Sequence, residues 1–177
     1  MEDHVILVDT DDNPIGTLEK QAAHLEARLH RAISVFVFNS EGEWLLQQRA
    51  DTKYHSNSLW SNTCCTHPLP GESNPTAAHR RMAQEMGLQC PLKEVFHFQY
   101  KEALDNNLTE HEIDHVFIGF SDDLPVINPE EVKAFRYVDY ASLIHDLALN
   151  PDRYTVWFRH IVQRVHDAFL NRGLITE

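Results

Sequence analysis

A single helix with marked ends, set between two groups of strands, constrains this chain most. Asn74 reads as its cap, Pro75 as its first helical residue, TAAHRRMAQEM as its body and Gly87 as its stop. Before it come the strand signals HVILVD (4–9), AISVFVFN (32–39) and WLLQQR (44–49), the last two joined by the turn SEGE (40–43). After it come EVFHFQY (94–100), EHEIDHVFIGF (110–120) and AFRYVD (134–139). ASLIHDLAL reads as a short helix stopped by Asn150-Pro151. YTVWFRHIVQRVHDAFLNR (154–172) reads as a long amphipathic helix closed by Gly173. Strands around one inserted helix, with helices at the end, predict an α+β sandwich-like domain. The 177 residues suit a single domain, and no repeat or linker divides them.

Between the early strands and the helix lies a long loop, residues 50–73, and long loops in compact domains are usually functional. It holds SNTCCTHPLPGE (61–72), with Cys64, Cys65, His67 and Glu72 in a turn-rich stretch. Thiol, imidazole and carboxylate together can bind metal or move protons. Taken alone, two adjacent cysteines favour the reading as ordinary core residues.

Three other clusters share this character. HLEARLH places His24 and His30 just before a buried strand. Glu110 and Glu112 stand at i and i+2 on a strand, so both carboxylates point to one face; a cation between them would relieve their repulsion. Without a cation they read as a solvated face. Lys20, Arg49, Lys53, Arg80 and Arg81 gather around the same loops, a large share of 15 bases, as an oxyanion site requires. Some would equally serve solubility.

Acids outnumber bases by 27 to 15, a formal charge of −12, which argues against a nucleic-acid surface or a membrane-surface protein. No apolar run approaches the ~20 residues of a membrane span. MEDHVILVD is acidic and lacks the marks of a secretory signal. Three cysteines make a poor disulfide framework, so reduced thiols and a cytoplasmic setting are expected.

The helix fits the Nudix box, Gly-x5-Glu-x7-Arg-Glu-hydrophobic-x-Glu-Glu-x-Gly-hydrophobic, imperfectly. Registered on Gly87, the pattern is matched by Glu72, Arg80, Met82, Glu85 and Leu88. Thr66 replaces the first Gly, and Arg81 and Gln84 replace two acids. Nudix hydrolases hold divalent metals with those acids, so their loss should weaken hydrolysis and keep a diphosphate-friendly scaffold. An i,i+4 ion pair between Arg81 and Glu85 is the simpler reading of the same residues.

HVILVD, GTLEK, LHRAISVFVFN, LLQQRA, LWSNTCCTHPLPGE, RRMAQEMG, FQYKE, EHEIDHVF and YTVWF follow in order from about residue 4 to 160. On these stretches the chain closely resembles the type I isopentenyl-diphosphate isomerases. The resemblance implies a single Nudix-like α/β/α sandwich with a mixed sheet over residues 1–177, its core at about 30–165. It implies reversible isomerisation of isopentenyl diphosphate to dimethylallyl diphosphate in isoprenoid synthesis. Cys65 would be the catalytic thiol and Glu112 the catalytic carboxylate, assisted by Tyr100. His24, His30, His67, Glu110 and Glu112 would hold Mn²⁺ or Zn²⁺. Glu85 and the main-chain carbonyl of Cys65 would hold Mg²⁺. Lys20, Arg49, Lys53 and Arg81 would bind the diphosphate, and Trp157 would lie against the hydrocarbon. The partner expected is a small isoprenoid diphosphate, with no nucleic acid and no membrane insertion. The oligomeric state is left open, and a monomer is compatible with the sequence.

The residue chemistry supports such a site independently. Protonating an unactivated alkene makes a tertiary cation, from which water must be excluded. An indole face stabilises a cation without reacting. One acid–base group near each of two carbons would suffice. Three imidazoles and two carboxylates suit Mn²⁺ or Zn²⁺ better than Mg²⁺. Three local departures from the family pattern bear on loop geometry: a His24–His30 loop a residue shorter than in some relatives, Tyr-His-Ser-Asn-Ser (54–58) for an expected Pro-Gly turn, and Val156 for an expected Pro. Two alternatives stay open, a Nudix diphosphate hydrolase and a non-catalytic domain with Cys64, Cys65 and His67 as a structural zinc site.

Overall fold

The computed structural model describes residues 3–172. Among them nine strands form one mixed sheet flanked by helices. In chain order these are β1 (His4–Val8), β2 (Pro14–Glu19), α1 (Lys20–Leu25), β3 (His30–Phe38), β4 (Trp44–Arg49), β5 (Trp60–Ser61) and β6 (Cys64–Thr66). Then come α2 (Asn74–Met86), β7 (Leu92–Ala103), β8 (Thr109–Phe120), β9 (Val132–Val138), α3 (Tyr140–Leu149) and α4 (Val156–Leu170). No helix among the described residues is long and apolar enough to cross a membrane.

β3 organises the sheet. Along one edge it pairs in parallel with β8 over its whole length, His30 opposite Glu112 through Phe38 opposite Phe120. Its other edge is shared by β1 at His30, β6 at residues 33–35 and β4 at residues 37–38, all antiparallel. β9 extends the sheet beyond β4, β5 shares with β3 the other edge of β4, and β7 extends the sheet beyond β8. The twofold alternation of side chains then makes two cores. Ile33, Val35, Val37, Leu45 and Phe117 meet Ala77, Ala78, Met82 and Met86 of α2 on one face. Phe36, Phe38, Trp44, Leu46, Val116 and Ile118 meet Leu143 of α3 and Trp157, Phe158, Ile161, Val162 and Val165 of α4 on the other. This is the expected mixed sheet between helical layers. Each fully buried side chain of this size contributes ~1.5–3 kcal/mol.

The strand and helix expectations hold, with corrections at the joints. The α2 cap is Ser73, whose Oγ accepts from the Thr76 N–H; Asn74 is already helical and Pro75 follows it. Gly87 ends α2 in the left-handed conformation, φ 63°. Residues 14–25, read without structure, form β2 and α1. The long loop contains two short strands, β5 and β6, and β6 carries both adjacent cysteines. Gly173, expected to close the last helix, lies outside the described residues.

Candidate active site

Extended backbone at residues 64–66 separates the two cysteines. Cys64 turns into the α2 core and is 1% exposed. Cys65, opposite Ser34 of β3, turns to the α4 face, packing against that core. Its thiol donates to Asn62 Oδ1 (3.2 Å), and Trp157 Nε1 donates to the sulfur (3.1 Å). Asn62 is fixed in turn by donating to the carbonyls of Cys64 (2.8 Å) and Val35 (3.1 Å). Burial, then the nearby Asp114, pushes the Cys65 thiol up to about 12, so it stands as a protonated thiol at neutral pH.

Glu110, Glu112 and Asp114 line the same face of β8 and are nearly inaccessible, at 4%, 4% and 1% exposed. Tyr100, paired with Glu112 across β7 and β8, meets both glutamates: its hydroxyl lies close to Glu110 Oε2 and 2.9 Å from Glu112 Oε2. A phenol has one proton to give. Burial and the Glu112 charge raise the Glu110 carboxyl well above its usual range, so Glu110 is the protonated member. The single phenolic proton of Tyr100 is offered to both carboxyl groups, Glu110 and Glu112. Glu112 is held well below the usual range despite its burial, because the His30 and His67 imidazoles lie against its carboxylate. Asp114, raised by burial and by Glu112, accepts from Ser34 Oγ (2.7 Å).

Three imidazoles converge on Glu112 Oε1: His67 Nε2 at 3.0 Å, His30 Nε2 at 3.2 Å and His24 Nε2 at 3.9 Å. The Nδ1 atoms of His24 and His30 donate to the carbonyls of Lys20 (2.7 Å) and Arg28 (2.8 Å). That fixes the tautomer and aims each Nε2 lone pair inward, where both atoms are buried without a hydrogen-bond partner. Burial lowers His24, and lowers His67 to about 4, so neither is protonated at neutral pH. His24, His30, His67 and Glu112 bring one donor atom each within 4.8 Å of one another. This donor set fits a divalent metal. Glu110 joins a second overlapping group with His24 and His55.

These groups open into one cavity of about 710 Å³ whose walls include Cys65, His67, Tyr100, Glu110, Glu112 and Trp157, with Lys20, Arg49, Lys53, Arg80, Arg81 and Glu85. His24 and His30 lie behind the wall, 0% exposed. All five bases thus reach the cavity, on different terms. Arg80 is forked onto Glu72 (2.7 and 2.9 Å), which ties α2 to the preceding loop. Arg81 pairs with Glu85 one turn on and with Glu131 (3.2 Å), and Glu131 also holds Lys53. Arg49 lies over the Trp157 ring, 5.3 Å from its centroid. Glu85, 4% exposed, also accepts from Gln47 Nε2 (2.9 Å).

Sequence reasoning missed several members. Asp114 was legible as the next step of the Glu110–Glu112 alternation. Tyr54, His55 and Glu131 carry no local signal and reach the cavity through loops, and Asn62, outside the lining, holds the Cys65 thiol. His55 stacks edge-on against Trp157 (5.9 Å), and burial lowers it to about 2. In the 54–58 segment Ser56 (φ 50°) and Ser58 (φ 60°) take the left-handed backbone that a Pro-Gly turn would supply through glycine. Val156 is the first residue of α4, a position where Pro is also at home, so the departure leaves Trp157 in place. The structural-zinc alternative fails on direction, because Cys64 faces the opposite side of the sheet from Cys65.

Fold and site together define a Nudix-class domain in which cations and a buried thiol–carboxylate centre have replaced part of the acidic box. The NUDIX domain signature matches residues 28–159. The same fold occurs in a solved Deinococcus radiodurans structure (TM-score 0.77, 17% identity, 91% of this chain and 98% of that one). It recurs in a MutT protein from Methanosarcina mazei (TM-score 0.63, 18% identity, 84% and 96%). More specifically, the chain is 50% identical over 163 residues to an isopentenyl-diphosphate Delta-isomerase of Pectobacterium atrosepticum, covering 92% of this chain and 91% of the relative. It is 48% identical over 172 residues to that of Burkholderia multivorans (97% and 98%). The chain belongs to the isopentenyl-diphosphate Delta-isomerase family.

Proposed function

We propose that this protein interconverts isopentenyl diphosphate and dimethylallyl diphosphate by adding a proton to the alkene at one carbon and removing one from another. The observation that carries the reading is a protonated thiol, Cys65, facing the same cavity as the Tyr100–Glu112 pair, with the Trp157 indole donating to its sulfur. The terminal methylene of the substrate gains a proton, a tertiary cation forms, and the neighbouring methylene loses a proton. Cys65 and Glu112 are the two acid–base groups. Tyr100 orients Glu112 by donating to its carboxylate. Trp157 stabilises the cation by ~2 kcal/mol, and burial keeps water from capturing it.

Lys20, Arg49, Lys53 and Arg81 bind the diphosphate, whose charge would replace Glu131 as partner of Lys53 and Arg81. His24, His30, His67, Glu110 and Glu112 would hold Mn²⁺ or Zn²⁺. Glu85 with the Cys65 main-chain carbonyl would hold Mg²⁺. When bound, such ions supply charge that orients Glu112 and neutralises the diphosphate. The cavity walls come from one chain, so the reading needs no second subunit. Three free thiols, Cys64, Cys65 and Cys90, suit a cytoplasmic enzyme. The hydrolase reading is weakened because Arg81 and Gln84 stand where the box has two further acids. The test is incubation of the purified protein with isopentenyl diphosphate and Mg²⁺, followed by phosphorus and proton NMR. Dimethylallyl diphosphate without inorganic phosphate is expected; phosphate as the main product would transfer the protein to the hydrolases.

A further inference from the structure

We propose that Glu94, His97 and His115 form a second divalent-metal site, of a kind that takes Zn²⁺, on the face of the sheet turned away from the catalytic cavity. The register dictates the separation. Tyr100 and Phe98 of β7 oppose Glu112 and Asp114, on the catalytic face. His97 opposes His115, one residue out of phase, so both imidazoles point to the other face. Glu94 would lie on the wrong side of a regular strand. A bulge between Glu94 and Phe96 inserts Val95, and Glu94 pairs with Phe117 on the His115 side. The three side chains meet with one donor atom each within 4.8 Å of one another, and the two rings stack at 5.2 Å.

What lies behind His115 completes the arrangement. Its Nε2 stands 2.8 Å from Asp12 Oδ2. Asp12 is itself held by Arg31, Nε to Oδ1 at 2.9 Å and Nη2 to the main-chain oxygen at 2.6 Å. The turn keeps Asp12 there in a left-handed backbone, φ 64°. A fixed carboxylate accepting the Nε2 hydrogen bond leaves Nδ1 as the nitrogen that would exchange its hydrogen bond to Glu94 for a metal, the carboxylate–histidine–metal order. In this structure Nδ1 meets Glu94 directly. Metal binding would replace the proton between them, which leaves for solvent, and Glu94 and His97 are exposed enough to open around the ion. A shallow groove lined by Asp11, Asp12, His97, Gln99 and Ile113 borders the site at His97. Two imidazoles and a carboxylate, with a position left for water, suit Zn²⁺ and Co²⁺ over Mg²⁺. Bound there, the ion would tie the β1–β2 turn to the edge strand β7.

The experiment uses the full chain, stripped of metal and dialysed against Zn²⁺, beside His97→Gln and Glu94→Gln. Both positions are exposed and neither belongs to the catalytic cavity. Wild type should hold one equivalent of Zn²⁺ more than either variant, and all three should isomerise substrate at the same rate. Co²⁺ in place of Zn²⁺ should show one fewer set of visible bands in the variants. Equal metal content in wild type and both variants would overturn the proposal and leave His115 as a bridge between Asp12 and Glu94. Should one variant misfold, the other decides.

Discussion

Cys64 and Cys65 are neighbours with opposite fates. One lies against α2 and the other bonds Trp157 and Asn62. Cys65→Ala removes a proton donor and should lower turnover by about 10²–10⁴-fold while substrate binding stays near normal. Cys64→Ala should cost ~1–3 kcal/mol of stability and little rate. Steady-state kinetics beside a denaturation curve separates the two; an active Cys65→Ala beside a dead Cys64→Ala would reverse the assignment. Trp157 offers a graded test. Trp157→Phe keeps a weaker π face and should retain part of the activity. Trp157→Ala should lose roughly 30-fold or more, the rate equivalent of ~2 kcal/mol. Equal rates for wild type and Trp157→Ala would remove the indole from the mechanism. At this scale the Glu110–Glu112 pair was legible because strand alternation fixes its direction, whereas Cys65 and Tyr100 were named by the family resemblance. The cation cluster was legible as a group, and so was the i,i+4 pair of Arg81 with Glu85, but the remaining pairing was not. Arg80 and Arg81 are adjacent in sequence, yet one is forked onto Glu72 and the other reaches Glu131, whose place depends on a distant turn.

At the scale of elements, α2 and the long β8 strand were readable from periodicity and end signals. β2, α1, β5 and β6 were not, because they are short and their residues carry weak propensities; tertiary pairing to β1, β3 and β4 makes them. The α2 cap slipped by one residue, since Ser73 and Asn74 are both good caps and only the Thr76 hydrogen bond chooses. The other end of α2 is less forgiving. Gly87 combines a left-handed backbone with close approach to the next segment: an added Cβ would lie 2.6 Å from the Val126 carbonyl oxygen. Gly87→Ala should cost at least ~1–2 kcal/mol from backbone strain alone. It should move the urea midpoint down and disturb Glu85, which accepts Asn128 N–H at its carbonyl (2.9 Å). An unchanged midpoint would show that the segment after α2 yields freely.

The whole molecule divides its chemistry by the faces of one sheet. The α4 face carries the thiol, the carboxylates and the imidazoles; the α2 side brings Glu85 and Arg81 to the same cavity. A protein of formal charge −12 gathers five of its 15 bases along that cavity, which focuses attraction for an anion where it is needed. The central claim is that the cavity moves protons and does not shift hydride or cleave phosphate. Its most direct test is turnover of isopentenyl diphosphate with Mg²⁺ in D₂O, read by NMR. Dimethylallyl diphosphate carrying solvent deuterium in a methyl group is the expected result. Product formed at full rate without deuterium would point to an internal transfer and contradict the acid–base account of Cys65 and Glu112.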